Sequence, residues 1–184
     1  RPVRETLFLT NQGTDDHLRE KRAAECHEHD SARVRGRVAA RPEERNGTVL
    51  FELRDESGAV RCAAYPPTRG FRHVARALDE GDDVTACGGL HVGPDGRLTL
   101  GLEKLHVHET VPRRAGAPTC PSCGRAMDSA GKGAGFRCRH CHTRAAEART
   151  AVSVVRPGWH EVPASARRHL AMPLRRPEAL SPRP

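Results

Sequence analysis

Residues 120–141 read CPSCGRAMDSAGKGAGFRCRHC, a stretch with two Cys-x-x-Cys pairs that have fourteen residues between them. Two residues between cysteines let one tight turn direct both sulfur atoms at a single ion, and two such turns form a tetrahedral set of thiolates that suits Zn²⁺. The spacing predicts a zinc ribbon whose ligands are Cys120, Cys123, Cys138 and Cys141. Because the protein fills all four positions, we expect a structural metal without a reactive water.

The same four cysteines could instead form two disulfides or two redox pairs, although no βαβ pattern surrounds either pair. The chain has seven cysteines, so Cys26, Cys62 and Cys87 are left over. Unpaired thiols are typical of a reducing compartment, and we expect a cytoplasmic protein. The longest apolar runs are too short to cross a bilayer and no apolar segment follows the basic start, so we expect neither a membrane partner nor a secretory signal.

Positive charge is concentrated around the cysteine pairs. Residues 112–184 contain 13 Arg and one Lys against four acidic residues, a net charge of +10, whereas residues 1–111 contain 17 basic and 19 acidic residues, a net charge of −2. A basic segment around a zinc ribbon favours a polyanionic partner, usually a nucleic acid. A solvated basic face without a partner is the alternative.

The loop between the cysteine pairs is rich in glycine and carries basic side chains. A hairpin of this kind can press its backbone against a sugar–phosphate chain, and a nearby aromatic ring can stack on an unpaired base. Phe136 could equally pack on the small core of the ribbon. The candidate nucleic-acid contacts in the ribbon are Arg125, Lys132, Phe136, Arg137 and Arg139.

Residues 31–110 have the pattern of a small β-barrel. Apolar residues alternate with polar ones in three segments around 34–38, 49–54 and 60–64, which are separated by the turn signals Asn46-Gly47 and Ser57-Gly58. Helical spacing follows over 71–78, and a hairpin over 83–108 turns at residues 93–96. Three strands, a helix and two strands are the order of a five-stranded OB-fold, and another small five- or six-stranded barrel is the alternative.

Two irregularities of the pattern are also typical of a closed barrel. Gly36 lies in the middle of the first strand, where a small barrel must bend sharply. The alternation of Leu98, Leu100 and Leu102 changes phase before Leu105, which predicts a β-bulge. The fold class that follows is mainly β, an OB-fold barrel followed by a zinc ribbon.

The other segments complete the predicted domain organisation. Residues 1–30 form a short α/β remnant, with a polar helix that starts at Thr14 as its N-cap and ends near Ala24. A proline-containing linker spans 111–118, the ribbon spans 119–146, and a basic C-terminal tail spans 147–184. Further candidate phosphate contacts are Arg33, Arg35 and Arg37 on one face of the first barrel strand, and Arg167, Arg168 and His169 in the tail.

Three stretches together resemble one family, the archaeal tRNA(Ile) agmatidine synthases. The first is TNQGTDDHL at residues 10–18, which looks like a signature of that family. The second is the ribbon, CPSCG at 120–124 with SAGKGAGFRC at 129–138. The third is PGWHEVP at 157–163, which leads into ARRHL at 166–170 and MPL at 172–174. The resemblance extends over essentially all 184 residues.

This resemblance implies a function in tRNA modification. Members of the family use ATP to attach agmatine to carbon 2 of the wobble cytidine, cytidine 34, of a tRNA(Ile) with a CAU anticodon, so that the tRNA reads AUA. Their usual order is a kinase-like catalytic domain, a ferredoxin-like domain, an OB-fold and a zinc ribbon. The resemblance therefore implies that residues 1–30 are the end of the ferredoxin-like domain and that the chain is the C-terminal portion, part of something longer.

The kinase-like domain has no counterpart among these residues, so we expect no catalytic residue here and expect ATP and Mg²⁺ to bind in that domain. The resemblance leaves open whether Asn11, Gln12 and Asp15 contact agmatine or only shape a turn. The leading hypothesis is the tRNA-binding portion of a ligase that modifies RNA. The alternatives are a non-enzymatic single-stranded-DNA-binding protein with an OB-fold and a zinc module, and a module that docks a separately encoded catalytic chain.

Overall fold

The computed structural model describes residues 4, 6, 8, 10–114, 118–131, 134–145, 150–151 and 155–175. The chain divides into two compact units. One consists of Arg1–Thr110 and Val155–Pro184, and the other is Val111–Val154.

The first unit contains a barrel, one helix and a short additional strand. Its elements are β1 (Arg19–Glu20), β2 (Ser31–Val38), β3 (Glu43–Arg45), β4 (Thr48–Arg54), β5 (Ala59–Ala64), α1 (Gly70–Arg76), β6 (Asp83–Val92), β7 (Leu98–Glu109) and, after the second unit, β13 (Gly158–Glu161). The second unit contributes β8 (Arg113–Arg114), β9 (Asp128–Ser129), β10 (Phe136–Arg137), β11 (Arg144–Ala145) and β12 (Thr150–Ala151). Two short 3₁₀ turns cover Ala23–Glu25 and Ala164–Ala166.

Strands of the first unit form one sheet in the order β1-β2-β6-β7-β5-β4-β3, and an additional pairing of β2 with β4 closes it. The closed barrel has five strands, in which β5 runs parallel to β7 and the other neighbours are antiparallel. The predicted order of three strands, a helix and two strands is therefore confirmed, and the unit is an OB-fold.

The alternation in the sequence places one face of each strand in the core. In β4, Val49, Phe51 and Leu53 are buried, and the residues between them are more exposed. Helix α1 buries Phe71 and Ala75 against the same core. It begins at Gly70 and ends at Arg76, one residue earlier and two residues earlier than the apolar spacing predicts. This seven-residue helix is the longest among the described residues, and none there is long and apolar enough to cross a bilayer.

Barrel closure depends on Gly36, as its position in the sequence predicts. Just beyond it, Arg37 and Val38 pair with Arg54 and Leu53, while the whole of β2 also pairs with β6. A Cβ atom on Gly36 would lie 2.4 Å from the carbonyl oxygen of Arg54. Only glycine lets the two backbones approach this closely.

The predicted bulge is present in β7. Cys87 of β6 pairs with Lys104, but the next residue, Gly88, pairs with Leu102, so Glu103 is the extra residue of the bulged strand. The side chains of Glu103 and Lys104 are both buried in consequence. Two adjacent buried charges of opposite sign are an unusual arrangement and require partners.

The helix predicted over residues 14–24 is wrong. Asp15 adopts a left-handed conformation with φ 63°, which ends any helix that starts at Thr14. Arg19 and Glu20 instead pair in parallel with β2, and only Ala23–Glu25 form a 3₁₀ turn. The local helix signals are real, since the Thr14 hydroxyl accepts a hydrogen bond from the Asp16 N–H at 3.3 Å, but contacts with the barrel override them.

The segment after the second unit packs on the barrel. β13 pairs antiparallel with β7, and Val155, Val162 and Ala171 are buried. This segment lies within the stretch interpreted from sequence as a basic tail. The OB-fold is thus extended at one edge by a strand whose sequence contains PGWHEVP.

Candidate metal centre and nucleic-acid interface

The four cysteines of the ribbon converge on one point. The ligand atoms of Cys120, Cys123, Cys138 and Cys141 all lie within 4.8 Å of one another. The sulfur–sulfur distances are 3.3 Å for Cys120–Cys141, 3.5 Å for Cys123–Cys138 and 3.6 Å for Cys123–Cys141. Four thiolates bound tetrahedrally to zinc at about 2.3 Å lie about 3.8 Å apart, so the arrangement fits this metal.

Two similar backbone turns hold the sulfur atoms in place. In the first turn, the N–H of Gly124 donates to the carbonyl oxygen of Cys120 at 2.9 Å, and in the second the N–H of His142 donates to that of Cys138 at 3.0 Å. Gly124 has the positive φ predicted for this position, 70°, and His142 has φ 59° at the equivalent place. The chain therefore makes the two halves of the cage by repeating one local structure.

A small apolar cluster supports the metal centre. Cys120, Cys138 and Met127 are buried, and Phe136 and Ala145 pack against them from β10 and β11. Such a core is too small to fold by itself, so bound metal contributes directly to the stability of the ribbon. This centre is structural, because four cysteine ligands leave no open position.

The remaining cysteines lie in the barrel unit and form no disulfide. Burial raises the pKa of the Cys62 thiol, and it raises the pKa of the Cys87 thiol to about 11. Both thiols are therefore protonated near neutral pH. They serve as small apolar core residues, because only the thiolate is a good nucleophile or metal ligand.

Basic residues predicted in the ribbon have different environments. Arg125, Arg137 and Arg139 are exposed. Arg139 forms an ion pair with Asp128 at 2.8 Å. The aromatic ring of Phe136 is half-buried against the metal centre. Lys132, also predicted as a contact, lies outside the described residues.

The arginines predicted on β2 already have partners within the barrel unit. Arg33 pairs with Glu20 at 3.1 Å and Arg35 with Asp83 at 2.9 Å. Arg37 donates a hydrogen bond to a backbone carbonyl oxygen at 3.0 Å. The hydrogen bonds from Arg35 hold the pKa of Asp83 below its usual range, so this pair is charged near neutral pH. These contacts reduce the net positive charge that the strand presents to a polyanion.

The C-terminal cluster is likewise paired. Arg167 forms an ion pair with Glu161 at 2.9 Å, and Arg168 forms one with the buried carboxylate of Glu103. His169 is exposed, and its carbonyl oxygen accepts a hydrogen bond from the N–H of Gly13 at 2.9 Å. The structure therefore brings this cluster next to the sequence motif at residues 10–18.

Within that motif, Asn11 and Gln12 are exposed, but Asp15 is not. The carboxylate of Asp15 forms an ion pair with Lys104, and the side chains are 10% and 4% exposed. It also accepts a hydrogen bond from the N–H of Met172 at 2.7 Å. Asp15 thus joins the motif to the β7 bulge and to the C-terminal segment.

Sequence reasoning missed the acidic and basic residues that receive these contacts. Glu103 and Lys104 form the centre of the charged cluster, and His17 reaches Glu103 with its Nε2 atom at 3.4 Å. The available signal was the change of phase in β7, which marked the bulge but not the partners. The partners lie more than eighty residues away in sequence.

Comparisons with known proteins agree with both units. A family model described as an OB-fold nucleic acid binding domain matches residues 32–107, and one described as the TiaS C-terminal zinc ribbon domain matches residues 117–157. A 2-agmatinylcytidine synthetase TiaS, specific by name for tRNAIle2, from Archaeoglobus fulgidus is 43% identical over 176 residues. The corresponding protein of Pyrococcus horikoshii is 39% identical over 177 residues. These alignments cover 93% and 94% of this chain but 41% of each relative.

Solved structures give the same correspondence. The crystal structure of apo TiaS superimposes with a TM-score of 0.69 at 43% identity, over 91% of this chain and 40% of that chain. The crystal structure of the TiaS–tRNAIle2–ATP complex superimposes with a TM-score of 0.66 at 42% identity, over 91% of this chain and 39% of that chain. The chain spans about two fifths of the length of the relatives it matches.

Proposed function

This chain is homologous to the C-terminal portion of the TiaS family of 2-agmatinylcytidine synthetases, and from this premise we propose that it is the tRNA-binding portion of an ATP-dependent ligase. The ligase attaches agmatine to the wobble cytidine of a tRNA(Ile) with a CAU anticodon. The observation that carries this proposal is the similarity over both units to a structure in complex with tRNAIle2 and ATP.

Charge and architecture support the proposal independently. Residues 112–184, which include the ribbon, carry a net charge of +10. Sequence-specific proteins that bind RNA mostly recognise single-stranded loops, whose bases are accessible. A small basic ribbon suits such a loop, and we therefore assign the anticodon loop to the ribbon.

The OB-fold is assigned to the body or the acceptor end of the tRNA. OB-folds bind oligonucleotides on the face of their second and third strands and on the adjoining loops. Here that face lies on β4 and β5, where a groove of about 770 Å³ is lined by Arg41, Arg45 and Arg61 among other residues. Arg61 and Arg41 are paired with carboxylates, so this groove suits shape and backbone contacts better than strong charge attraction.

ATP and Mg²⁺ are assigned to a catalytic domain, on the same polypeptide or on a separately encoded one. Among the described residues, the group that could hold a metal is the four-cysteine centre, which is closed. This chain would therefore hold and orient the tRNA, while the catalytic domain supplies the reaction. Asn11 and Gln12, which are exposed, remain the better candidates for contact with agmatine than the buried Asp15.

A binding experiment tests the proposal. The zinc-loaded chain is titrated against labelled tRNAIle2, an elongator methionine tRNA and oligo-dT, at about 50 mM and about 200 mM salt. We expect tighter binding to tRNAIle2 than to the other two, weakening at the higher salt because phosphate contacts release counterions. Removal of zinc by a chelator should abolish the preference.

Equal or tighter binding to oligo-dT would contradict the proposal and support a single-stranded-DNA-binding protein. That alternative requires exposed aromatic residues on the barrel for stacking with bases. Tyr65 is the candidate predicted from sequence, and it is 40% exposed with its hydroxyl 2.9 Å from His91 Nε2. A variant Tyr65→Leu should leave tRNA binding within twofold if the ligase proposal is correct.

A further inference from the structure

One face of the ribbon sheet forms a polar cleft that the metal centre does not use. Its volume is about 510 Å³. The charged and polar side chains that line it are Asp128, Ser129, Arg137, Arg139, His142 and Arg144. The cleft lies entirely within the ribbon, on β9, β10, β11 and the turn before β11.

The sheet register sets which residues face this cleft. Phe136 pairs with Ala145 across β10 and β11, and both pack against the metal centre. Because side chains alternate along a strand, the next pair, Arg137 and Arg144, points to the opposite face. Two arginines therefore lie directly across from each other in an antiparallel pair, an arrangement that destabilises a sheet when no anion lies between the side chains.

No carboxylate compensates for this pair in the part of the chain that the structure describes. Asp128 is the cross-strand neighbour of Arg137, but its carboxylate pairs with Arg139 at 2.8 Å. Neither Arg137 nor Arg144 has a carboxylate within ion-pair distance among the described residues. The cleft consequently has two exposed guanidinium groups and no counter-charge for them.

His142 holds one of the two arginines in position. The Nη2 atom of Arg137 lies 3.3 Å from His142 Nδ1. Because a guanidinium group can only donate, Nδ1 is the acceptor, and Nε2 is left as a second donor. His142 occupies, with φ 59°, the position at which the first turn of the cage has Gly124. A side chain at a position suited to glycine costs stability, which is the pattern expected of a functional constraint.

We propose that Arg137 and Arg144 together bind a phosphate of a single-stranded RNA backbone, with His142 as the positioning residue for Arg137. The inference rests on the proposed function for the identity of the ligand as RNA. Arginine suits this task because its planar group donates two parallel hydrogen bonds to phosphate oxygens. The aromatic ring nearest to the cleft, Phe136, faces the metal centre, so the site binds the backbone and does not stack on a base.

The test compares Arg144→Gln and Arg137→Gln with Arg125→Gln, an exposed ribbon arginine that does not line the cleft. Each zinc-loaded chain is titrated with an RNA stem-loop that carries the CAU anticodon. Either cleft variant should lose about tenfold in affinity at low salt, the value of about one charge-assisted hydrogen-bonded contact. The slope of log affinity against log salt should fall by about 0.7, as for one lost phosphate contact on a single strand. Arg125→Gln should remain within twofold.

A second titration with inorganic pyrophosphate, followed by NMR of the arginine Nε–H groups, does not depend on RNA. Shifts of Arg137 and Arg144 that disappear in Arg144→Gln and partly return in Arg144→Lys are expected. Pyrophosphate shifts that are the same in all variants would overturn the cleft, even if the chain binds tRNA. If the cleft binds pyrophosphate but the wild-type chain fails to bind any tRNA, the proposed function is wrong and the anion site stands.

Discussion

Asp15 shows at the scale of one residue how a sequence motif can serve structure. Its carboxylate is shared between Lys104 and the N–H of Met172, so the side chain has no free oxygen directed at solvent. The backbone around it donates to the C-terminal segment, from Gly13 to His169 and from Asp15 to Leu170. The motif at residues 10–18 is therefore held by contacts that its own sequence cannot reveal.

Replacement of Asp15 by Asn should destabilise the barrel unit. The change leaves Lys104 as a buried charge without its partner, which costs about 3 kcal/mol in the free energy of unfolding. Chemical denaturation followed by circular dichroism measures this loss. The matched control is Asp16→Asn, an exposed neighbour, which should stay within about 0.5 kcal/mol. Equal effects of the two variants would show that the Asp15–Lys104 pair is not structural.

The cysteine ligands were predictable because their information is local. Each pair lies within one turn, and the spacing alone directs both sulfur atoms to one ion. Asp15 and Lys104 are 89 residues apart, and nothing in either local sequence specifies the other. The sequence therefore predicted the metal centre in full and the charged cluster not at all.

Loss of one ligand should unfold the ribbon but leave the barrel unit intact. In Cys138→Ser, three thiolates remain, and the small ribbon core cannot fold without the metal. We expect loss of the single equivalent of bound zinc and of dispersed NMR signals from residues 118–145, with barrel signals unchanged. Cys26→Ala, which removes a thiol from the barrel unit, should keep one equivalent of zinc. Collapse of the barrel signals in Cys138→Ser would contradict the division into two units.

At the scale of elements, the barrel strands were predictable and the N-terminal helix was not. Period-2 alternation and glycine-containing turns specify β4 and β5 locally, because one face of each must be buried. The residues after Thr14 carry equally good helix signals. They fail because Arg19 and Glu20 gain backbone hydrogen bonds by extending the edge of the barrel beside β2.

Gly36 gives the element scale its clearest test. Gly36→Ala would place a Cβ atom 2.4 Å from the carbonyl oxygen of Arg54, so the β2–β4 contact must open. We expect a loss of about 2 kcal/mol or more in the free energy of unfolding of the barrel. The control is Gly70→Ala in α1, where a Cβ atom meets no atom within 4 Å and alanine favours the helix. A Gly36→Ala variant as stable as the control would rule out the close approach.

At the scale of the whole molecule, charge separates the two units more sharply than composition does. The arginines described in the barrel unit are largely matched by carboxylates, as in the pairs of Arg35 with Asp83 and Arg61 with Asp95. The ribbon instead presents Arg125, Arg137 and Arg144 to solvent. Charge counts along the sequence revealed this asymmetry, but which arginines are matched depends on tertiary pairing and required the structure.

The central claim is that this chain holds a tRNA through its ribbon and its barrel. The most direct test is hydroxyl-radical footprinting of tRNAIle2 with the zinc-loaded chain and with Cys138→Ser. We predict protection of the anticodon loop, which disappears in Cys138→Ser, and a second protected region in the body or the acceptor end, which remains. Absence of any anticodon-loop protection by the zinc-loaded chain would contradict the account.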